Sequence, residues 1–330
     1  MRAAVITRPG GAEVLEVQER EAPKPGAGEV LIRVKASGLN RADVLQRQGK
    51  YPAPPGYPQD IPGIEFAGEI AELGQGVAGW QRGERVFGIT GGGAHAQMIA
   101  AHHSSLAPVP GNLSWTQAAA VPEAFITAHD ALFTQAGLRR GESLLVHAIG
   151  SGVGLAALAL GLASGVKVFG TSRTQDKLDR ARSLGMSDGL WLPEESALAK
   201  LAKFGKHATA GGFDVVFDLA GGPYAGASLA AMAMHGRLMA VGAVAGATTT
   251  VDLRVLLHHR LRILGTMLRG RNLEEKAAAT HAFARDVAPQ LGSGKIQPVI
   301  DAEFPLEHVA EAHRRMESDA SFGKIVLQMD

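Results

Sequence analysis

The chain has no cysteine in 330 residues and almost no charge imbalance, with 33 Lys and Arg against 32 Asp and Glu. The first absence removes disulfides, thiolate nucleophiles and cysteine-based zinc sites together. The second leaves a formal net charge of +1, which gives no electrostatic reason to expect nucleic acid, a membrane surface or another polyanion as main partner. Long apolar runs are missing too, each being broken by Gly or by charge well short of a membrane span. The opening stretch MRAAVITRPGGAEV puts Arg and Pro where a signal peptide needs an apolar segment, so a cytoplasmic protein is expected. What is present is the composition of a globular protein, 46% hydrophobic and 20% charged, in a chain long enough for two domains and a cleft.

The first third is punctuated by Gly and Pro and carries short apolar runs, among them EVLIRVKASG, EFAGEIAEL and ERVFGIT, which predict strands. The proline-rich stretch YPAPPGYPQDIPG between two of them predicts an ordered loop of the kind that lines sites. From about Pro122 the texture changes. AFITAHDALFTQAG has a helical pattern ending at Gly137, and strand-like and helix-like segments then alternate: SLLVHA, GLAALALGLASG, KVFGTS, TQDKLDRARSLG, FDVVFDLAGG, GRLMAVGAV and RILGTML. This rhythm predicts a parallel sheet covered on both faces. Past Arg269 come LEEKAAATHAFARDVAPQL and EHVAEAHRRMES, both helical in pattern, and a last strand in GKIVLQM.

HAIGSGVGLA, His147 to Ala156, lies where a mononucleotide-binding unit turns from its first strand into its first helix. The G-x-G-x-x-G fingerprint fails literally, because Ile149 and Ser151 take two of its positions. Gly150, Ser151, Gly152, Val153 and Gly154 still offer a turn free of bulk and a hydroxyl for a phosphate. An NAD site places Asp or Glu about 20 residues further on. Here that place holds Ser172, followed by Arg173 and Lys177, a hydroxyl and two cations that suit the 2′-phosphate of NADP(H). The alternative for Arg173 and Lys177 is the ordinary one of solvated surface cations.

Taken with ASGLNRADVLQRQGKYPAPPG, IPGIEFAGEI, GGGAHAQMIA, LSWTQAAAVPEAFITA, DLAGG, LGTMLRGR and FGKIVLQ, the glycine stretch makes the whole chain resemble the zinc-free quinone oxidoreductases of the medium-chain dehydrogenase/reductase superfamily. The resemblance implies an α/β protein with a GroES-like, β-rich catalytic domain at residues 1–122 and 269–330, and a Rossmann domain at 123–268 with a doubly wound parallel sheet. It implies a homodimer or homotetramer joined through Rossmann edge strands, with RILGTML as the candidate edge. In the zinc-dependent relatives of that superfamily the catalytic metal is held at positions matching Asn40, Ile64 and Glu123, of which only Glu123 is a ligand type, so no metal is expected. The twelve His residues do not restore a site: His102-His103 and His258-His259 are adjacent pairs expected to point apart, and His308 and Glu311 read as solvent-exposed.

An enzyme without a Lewis acid is suited to passing hydride from reduced nicotinamide to an acceptor that is already electron-poor. The resemblance therefore implies an NADPH-dependent quinone reductase, with an α,β-unsaturated carbonyl reductase as the alternative and a non-catalytic cofactor-binding protein behind both. It implies that Asn40 and Tyr51 border the acceptor pocket, as amide and phenol donors, and that Thr127 contacts the nicotinamide end of the cofactor. Ala220 and Gly221 follow a strand ending in Asp218, where small residues let a cofactor lie close. Val241, Gly242, Thr266 and Leu268 end the next strands, with backbone groups for the carboxamide, and Lys324 is expected to reach cofactor phosphate. Asp43 and Glu65 read as structural, pairing with Arg or capping backbone amides. A small-molecule acceptor is the only partner expected besides a second copy.

Overall fold

The computed structural model describes residues 1–329. Its strands, in chain order, are β1 (Arg2–Ile6), β2 (Leu15–Glu19), β3 (Glu29–Leu39), β4 (Glu65–Leu73), β5 (Arg85–Ile89), β6 (Met98–His102), β7 (Leu106–Pro108), β8 (Ser143–Val146), β9 (Lys167–Ser172), β10 (Asp188–Trp191), β11 (Phe213–Asp218), β12 (Met232–Ala240), β13 (Arg262–Gly265), β14 (Ile300–Pro305) and β15 (Lys324–Gln328). The chain divides into two compact units, one made of residues 1–126 and the chain from Leu268 onward, the other of residues 127–267.

The first unit is built on a seven-stranded sheet in the order β14-β15-β3-β4-β5-β7, with β6 also paired to β3. In β3 the residues Val30, Ile32, Val34 and Ala36 are buried while those between them are less so, the period-2 pattern of a strand with one core face. The side chains of Val30, Ile32 and Val34 join Leu39, Phe66, Ile70, Ile325 and Leu327 in one apolar core. The chain returns to this sheet only at its far end: β15 lies between β14 and β3, and its Ile325, Val326 and Leu327 are fully buried. The proline-rich stretch after the helix Arg41–Arg47 has no helix or strand until β4 begins.

The second unit is a parallel six-stranded sheet in the order β10-β9-β8-β11-β12-β13. Counted from β8 this is the order 3-2-1-4-5-6, in which chain direction across the sheet reverses between β8 and β11. β8 is buried along its whole length, as a strand covered on both faces must be. The helices Gly152–Ala163, Gln175–Ser183 and Pro223–Leu229 pack on the strands they connect, and the helix Leu253–His259 packs on β12. Phe213 is central to the apolar core, with ring centroids 5.3 Å from Phe169 and 5.7 Å from Phe204.

Two predicted helices are interrupted. The one ending at Gly137 is α-helical over Pro122–His129 and then widens to π-helical turns over Asp130–Gln135, with Ala136 N–H bonded five residues back to Ala131. The one after Arg269 runs over Leu273–Asp286 and restarts at Ala288, because Pro289 has no N–H and disfavours helical backbone just before it. The His102-His103 rings do not point apart: they stack at 4.8 Å, since His102 ends β6 and His103 starts a tight turn where strand alternation no longer holds. Those of His258 and His259 likewise lie 5.3 Å apart, at the end of the helix Leu253–His259. His308 and Glu311 are half-exposed and 3.2 Å apart.

Phe213→Ala is expected to lower unfolding free energy by about 3–5 kcal/mol through lost burial and the cavity left in the second unit. Urea unfolding followed by circular dichroism measures it; a loss under about 1 kcal/mol would mean the three rings do not pack as one core.

Candidate active site

In the first unit, β3 delivers Asn40 to the start of the helix Arg41–Arg47, where a capping box closes the turn. Asn40 N–H donates to Asp43 Oδ2 at 2.8 Å, and Asp43 Oδ1 accepts the Gly63 N–H at 2.9 Å, so this fully buried carboxylate ties the helix start to the proline-rich loop. Glu65, the first residue of β4, is equally buried. Its Oε1 accepts Asn40 Nδ2 at 2.8 Å and the Lys324 ammonium, and its Oε2 accepts the Glu123 backbone N–H at 2.8 Å. Lys324 also donates to Asn40 Oδ1 at 2.7 Å and Leu39 O at 3.0 Å.

The expectation that Lys324 reaches a cofactor phosphate is thereby corrected. The side chain is buried, and its three donors already have three acceptors within the first unit. Asn40 keeps little more in reserve: one Nδ2 hydrogen goes to Glu65 and the other makes only a 3.4 Å contact with Gly38 O.

Tyr51 sits in the proline-rich loop with the Arg269 guanidinium 5.0 Å from its ring centroid. Arg269 is fixed in turn by Gly91 O at 2.8 Å, Gln46 Oε1 at 2.5 Å and Tyr51 O at 3.3 Å. Burial holds the Tyr51 phenol above its ordinary 10.0; Arg269 opposes that rise and Glu123 adds to it. The phenol stays protonated and remains a donor. His95, fully buried, has Nε2 3.5 Å from Gly38 O and 3.9 Å from Asp43 Oδ2, and burial lowers its pKa so that the ring is neutral. Glu123 has its carboxyl pushed up to about 8, by burial first and by Glu65 second.

In the second unit, the carboxyl ends of β8 and β11 flank the point where strand order reverses, the place at which open α/β sheets bind ligands. The glycine stretch follows β8. Ser151 is the N-cap of the helix Gly152–Ala163, accepting Gly154 N–H at 3.1 Å and donating its own proton to Ala148 O at 2.8 Å. The hydroxyl expected to bind phosphate is therefore spent on the cap. What remains for an anion are the N–H groups of Gly152 and Val153, which have no carbonyl upstream to bond. Gly154 is dictated by contact: a Cβ there would lie 2.7 Å from Ala148 O and 2.8 Å from Ile149 O.

Before this turn, His147 is fully buried between β9 and the helix Pro223–Leu229. Ser228 Oγ donates to Tyr224 O at 2.7 Å, so it accepts from His147 Nε2 at 2.7 Å, and His147 Nδ1 accepts from Thr171 Oγ1 at 2.8 Å. At the end of β9, Ser172 Oγ accepts Thr174 N–H at 3.1 Å, which leaves its hydroxyl proton available, while Arg173 is exposed and Lys177 half-exposed. Trp191 ends β10 in register with Ser172 and donates from Nε1 to Arg173 O at 3.0 Å.

After β11, Asp218 Oδ1 accepts the N–H groups of Ala220 and Gly221, each at 2.9 Å. Gly221 has φ 71°, and a Cβ on it would lie 2.6 Å from Gly242 O, so both rotation and space demand glycine. The N–H groups of Val241 and Gly242 both bond Asp218 O, at 2.9 and 3.2 Å, leaving only carbonyls for a carboxamide there. Thr266 N–H is likewise bonded, to Ala240 O at 3.0 Å, while Leu268 is buried and belongs to the first unit. Two buried oxygens in the second unit have no partner: Thr127 Oγ1 and Asp218 Oδ2. Together with the free turn amides and the Ser172 proton, they fit a ligand carrying phosphate and hydroxyl groups. Among the described residues, no group of three or more His, Asp or Glu side chains is arranged to hold a metal ion.

A family model described as an alcohol dehydrogenase GroES-like domain matches residues 26–127, and one described as a zinc-binding dehydrogenase matches residues 194–327. A quinone oxidoreductase from Rattus norvegicus is 31% identical over 99% of this chain and 97% of its own length. A synaptic vesicle membrane protein VAT-1 homolog-like from Mus musculus is equally similar, 31% identical over 100% of this chain and 82% of its own. Among solved structures, a mycobacterial protein complexed with NADPH superimposes with a TM-score of 0.88 at 28% identity, each chain covered fully.

Lys324→Met is expected to destabilise the first unit by about 3–5 kcal/mol, because it strands the Glu65 carboxylate without a cation. Chemical denaturation reads the loss, and the double variant with Glu65→Gln is expected to recover part of it. Equal stability of Lys324→Met and the parent protein would refute the pairing.

Proposed function

We propose, from the premise that this chain belongs to the quinone oxidoreductases of the medium-chain dehydrogenase/reductase superfamily, that it is an NADPH-dependent quinone reductase working without a metal. The observation that carries the reading is the buried triad of Asn40, Glu65 and Lys324. A built-in ammonium neutralises Glu65, and Asn40, which takes the place of a zinc ligand in the metal-dependent relatives, is held by both its neighbours. A pocket so arranged polarises a carbonyl with hydrogen-bond donors. Tyr51 O–H is one donor, and the weakly held second Nδ2 hydrogen of Asn40 is the other.

Gly152 and Val153 would carry the pyrophosphate on backbone N–H groups, with Gly150 and Gly154 keeping the turn free of bulk and Ser151 as the cap that shapes it. Ser172, Arg173 and Lys177 would take the 2′-phosphate, and Thr127, Ala220 and Gly221, with the carbonyls of Val241 and Gly242, would line the rest together with Thr266. Bound NADPH supplies the hydride. The same reading makes the protein a cytoplasmic homodimer or homotetramer joined through β13, an edge strand whose Ile263 is half-exposed beside exposed Met267, with Leu253 and Leu257 exposed on the preceding helix.

The test is cofactor oxidation by purified protein against 1,4-benzoquinone, naphthoquinones, enones and simple alcohols. Turnover of quinones with NADPH is expected; turnover confined to enones would move the reading to an enone reductase, and none with either would overturn it. Arg173→Ala should raise the Kd for NADPH about tenfold or more, the loss of one hydrogen bond to a charged group at about 1.5–3 kcal/mol, and leave that for NADH nearly unchanged. Equal changes would refute the 2′-phosphate assignment.

A further inference from the structure

Glu123 follows Pro122 at the start of the helix Pro122–His129, and its backbone is anchored through N–H to Glu65 Oε2. Its own carboxyl makes no hydrogen bond or ion pair among the described residues, and the residue is only half-buried. Charged groups bear on it from every side of the cluster: Glu65 from β4, Asp43 from the helix Arg41–Arg47, Lys324 from β15, Arg269 after β13, and Lys276 from the helix Leu273–Asp286. Its charge is felt in turn by the Tyr51 phenol. Burial and the two carboxylates outweigh Lys324 and Arg269, so the group, pushed up to about 8, holds its proton at neutral pH.

Neither Tyr51 nor the hydrogen-bonded groups around Glu65 are placed to give a proton away. Lys324 has all three donors engaged. Both oxygens of Asp43 are taken up in accepting backbone N–H groups, from Asn40 and Gly63. Tyr51 is held above 10.0, too weak an acid to release a proton readily at neutral pH. An amide such as Asn40 donates a hydrogen bond but not a proton.

We propose that Glu123 is the general acid of this site, touching the oxygen of the reduced acceptor and giving it its hydrogen. The inference rests on the reading of the chain as a reductase of quinones or enones. Quinone reduction consumes two electrons and two hydrogens. The hydride brings both electrons and one hydrogen, the nicotinamide is oxidised, and the acceptor is left as an oxyanion. The O–H bond of the Glu123 carboxyl breaks as the O–H bond of the product forms. The resulting carboxylate, stabilised by Lys324 and Arg269, regains a proton from water.

Glu123→Gln keeps the shape and a hydrogen-bond donor but has no proton to give. Its kcat should fall about a hundredfold or more, the range of general acid catalysis, with KM for the quinone and Kd for NADPH unchanged. Wild-type kcat should be level below pH 8 and fall above it, since the acid must be protonated; that limb should vanish in Glu123→Gln and persist in Glu123→Asp. Independently of turnover, an infrared difference spectrum between wild type and Glu123→Gln should show a carboxylic acid C=O stretch at neutral pH that titrates away near pH 8. Undiminished turnover in Glu123→Gln with the same pH limb, or a carboxylate signal already at neutral pH, would overturn the acid role and leave the proposed function standing. Wild-type protein inactive toward every quinone and enone would overturn the proposed function and the acid role with it.

Discussion

The contact between Glu65 and Lys324 is the one on which the rest of the first unit depends. A carboxylate and an ammonium, both buried, face each other between β4 and β15, and neither would be tolerated there alone. Because Glu65 also accepts from Asn40 and from the Glu123 backbone, one side chain joins β4, β15, the start of the helix Arg41–Arg47 and the start of the helix Pro122–His129. The approach is tight: a Cβ on Gly38 would lie 2.2 Å from Glu65 Oε1. The pair thus sets which polar groups are consumed by the fold and which are left to a ligand.

The second unit uses a carboxylate in a related way without a cation. Asp218 holds the turn after β11 through two N–H groups and the turn after β12 through its carbonyl. His147, neutral because burial lowers its pKa, ties β8 to β9 and to the helix Pro223–Leu229 by accepting on Nδ1 and donating from Nε2. These bonds fix the ends of β8 and β11 beside the reversal of strand order. The polar atoms left over there, Thr127 Oγ1 and Asp218 Oδ2 among the buried ones, are where a ligand has something to satisfy.

Legibility in the sequence follows range. The parallel sheet, its alternation of strands and helices, and the Gly-rich turn after SLLVHA are readable because each depends on residues within a few positions of one another. Ser172 and Arg173 can be located because they end a strand whose start is evident. Ser151 stands out by residue type, yet a short polar side chain before a helix serves equally well as a cap, and the cap is what the local backbone geometry selects. Lys324 is misread from sequence because its partner Glu65 lies 259 residues away, and only the insertion of β15 beside β3 brings the two together. The helix through Gly137 reads as continuous because the widened stretch, Asp130–Gln135, is only six residues long, too short to show a period of its own.

Glu123 brings these lines together. As a residue type at a metal-ligand position it suggests a ligand without companions; its environment gives it a different use. Had Lys324 bonded Glu123 instead of Glu65, the Glu123 carboxyl would be held ionised by a contact cation. By spending the ammonium on Glu65 and Asn40, the fold leaves Glu123 with two neighbouring carboxylates and with cations that only partly compensate them. A group in that position is stable as the acid and still close enough to positive charge to survive as the base. Those are the two states a proton donor has to visit, so the contact that holds the sheet together also sets the protonation of the group beside it.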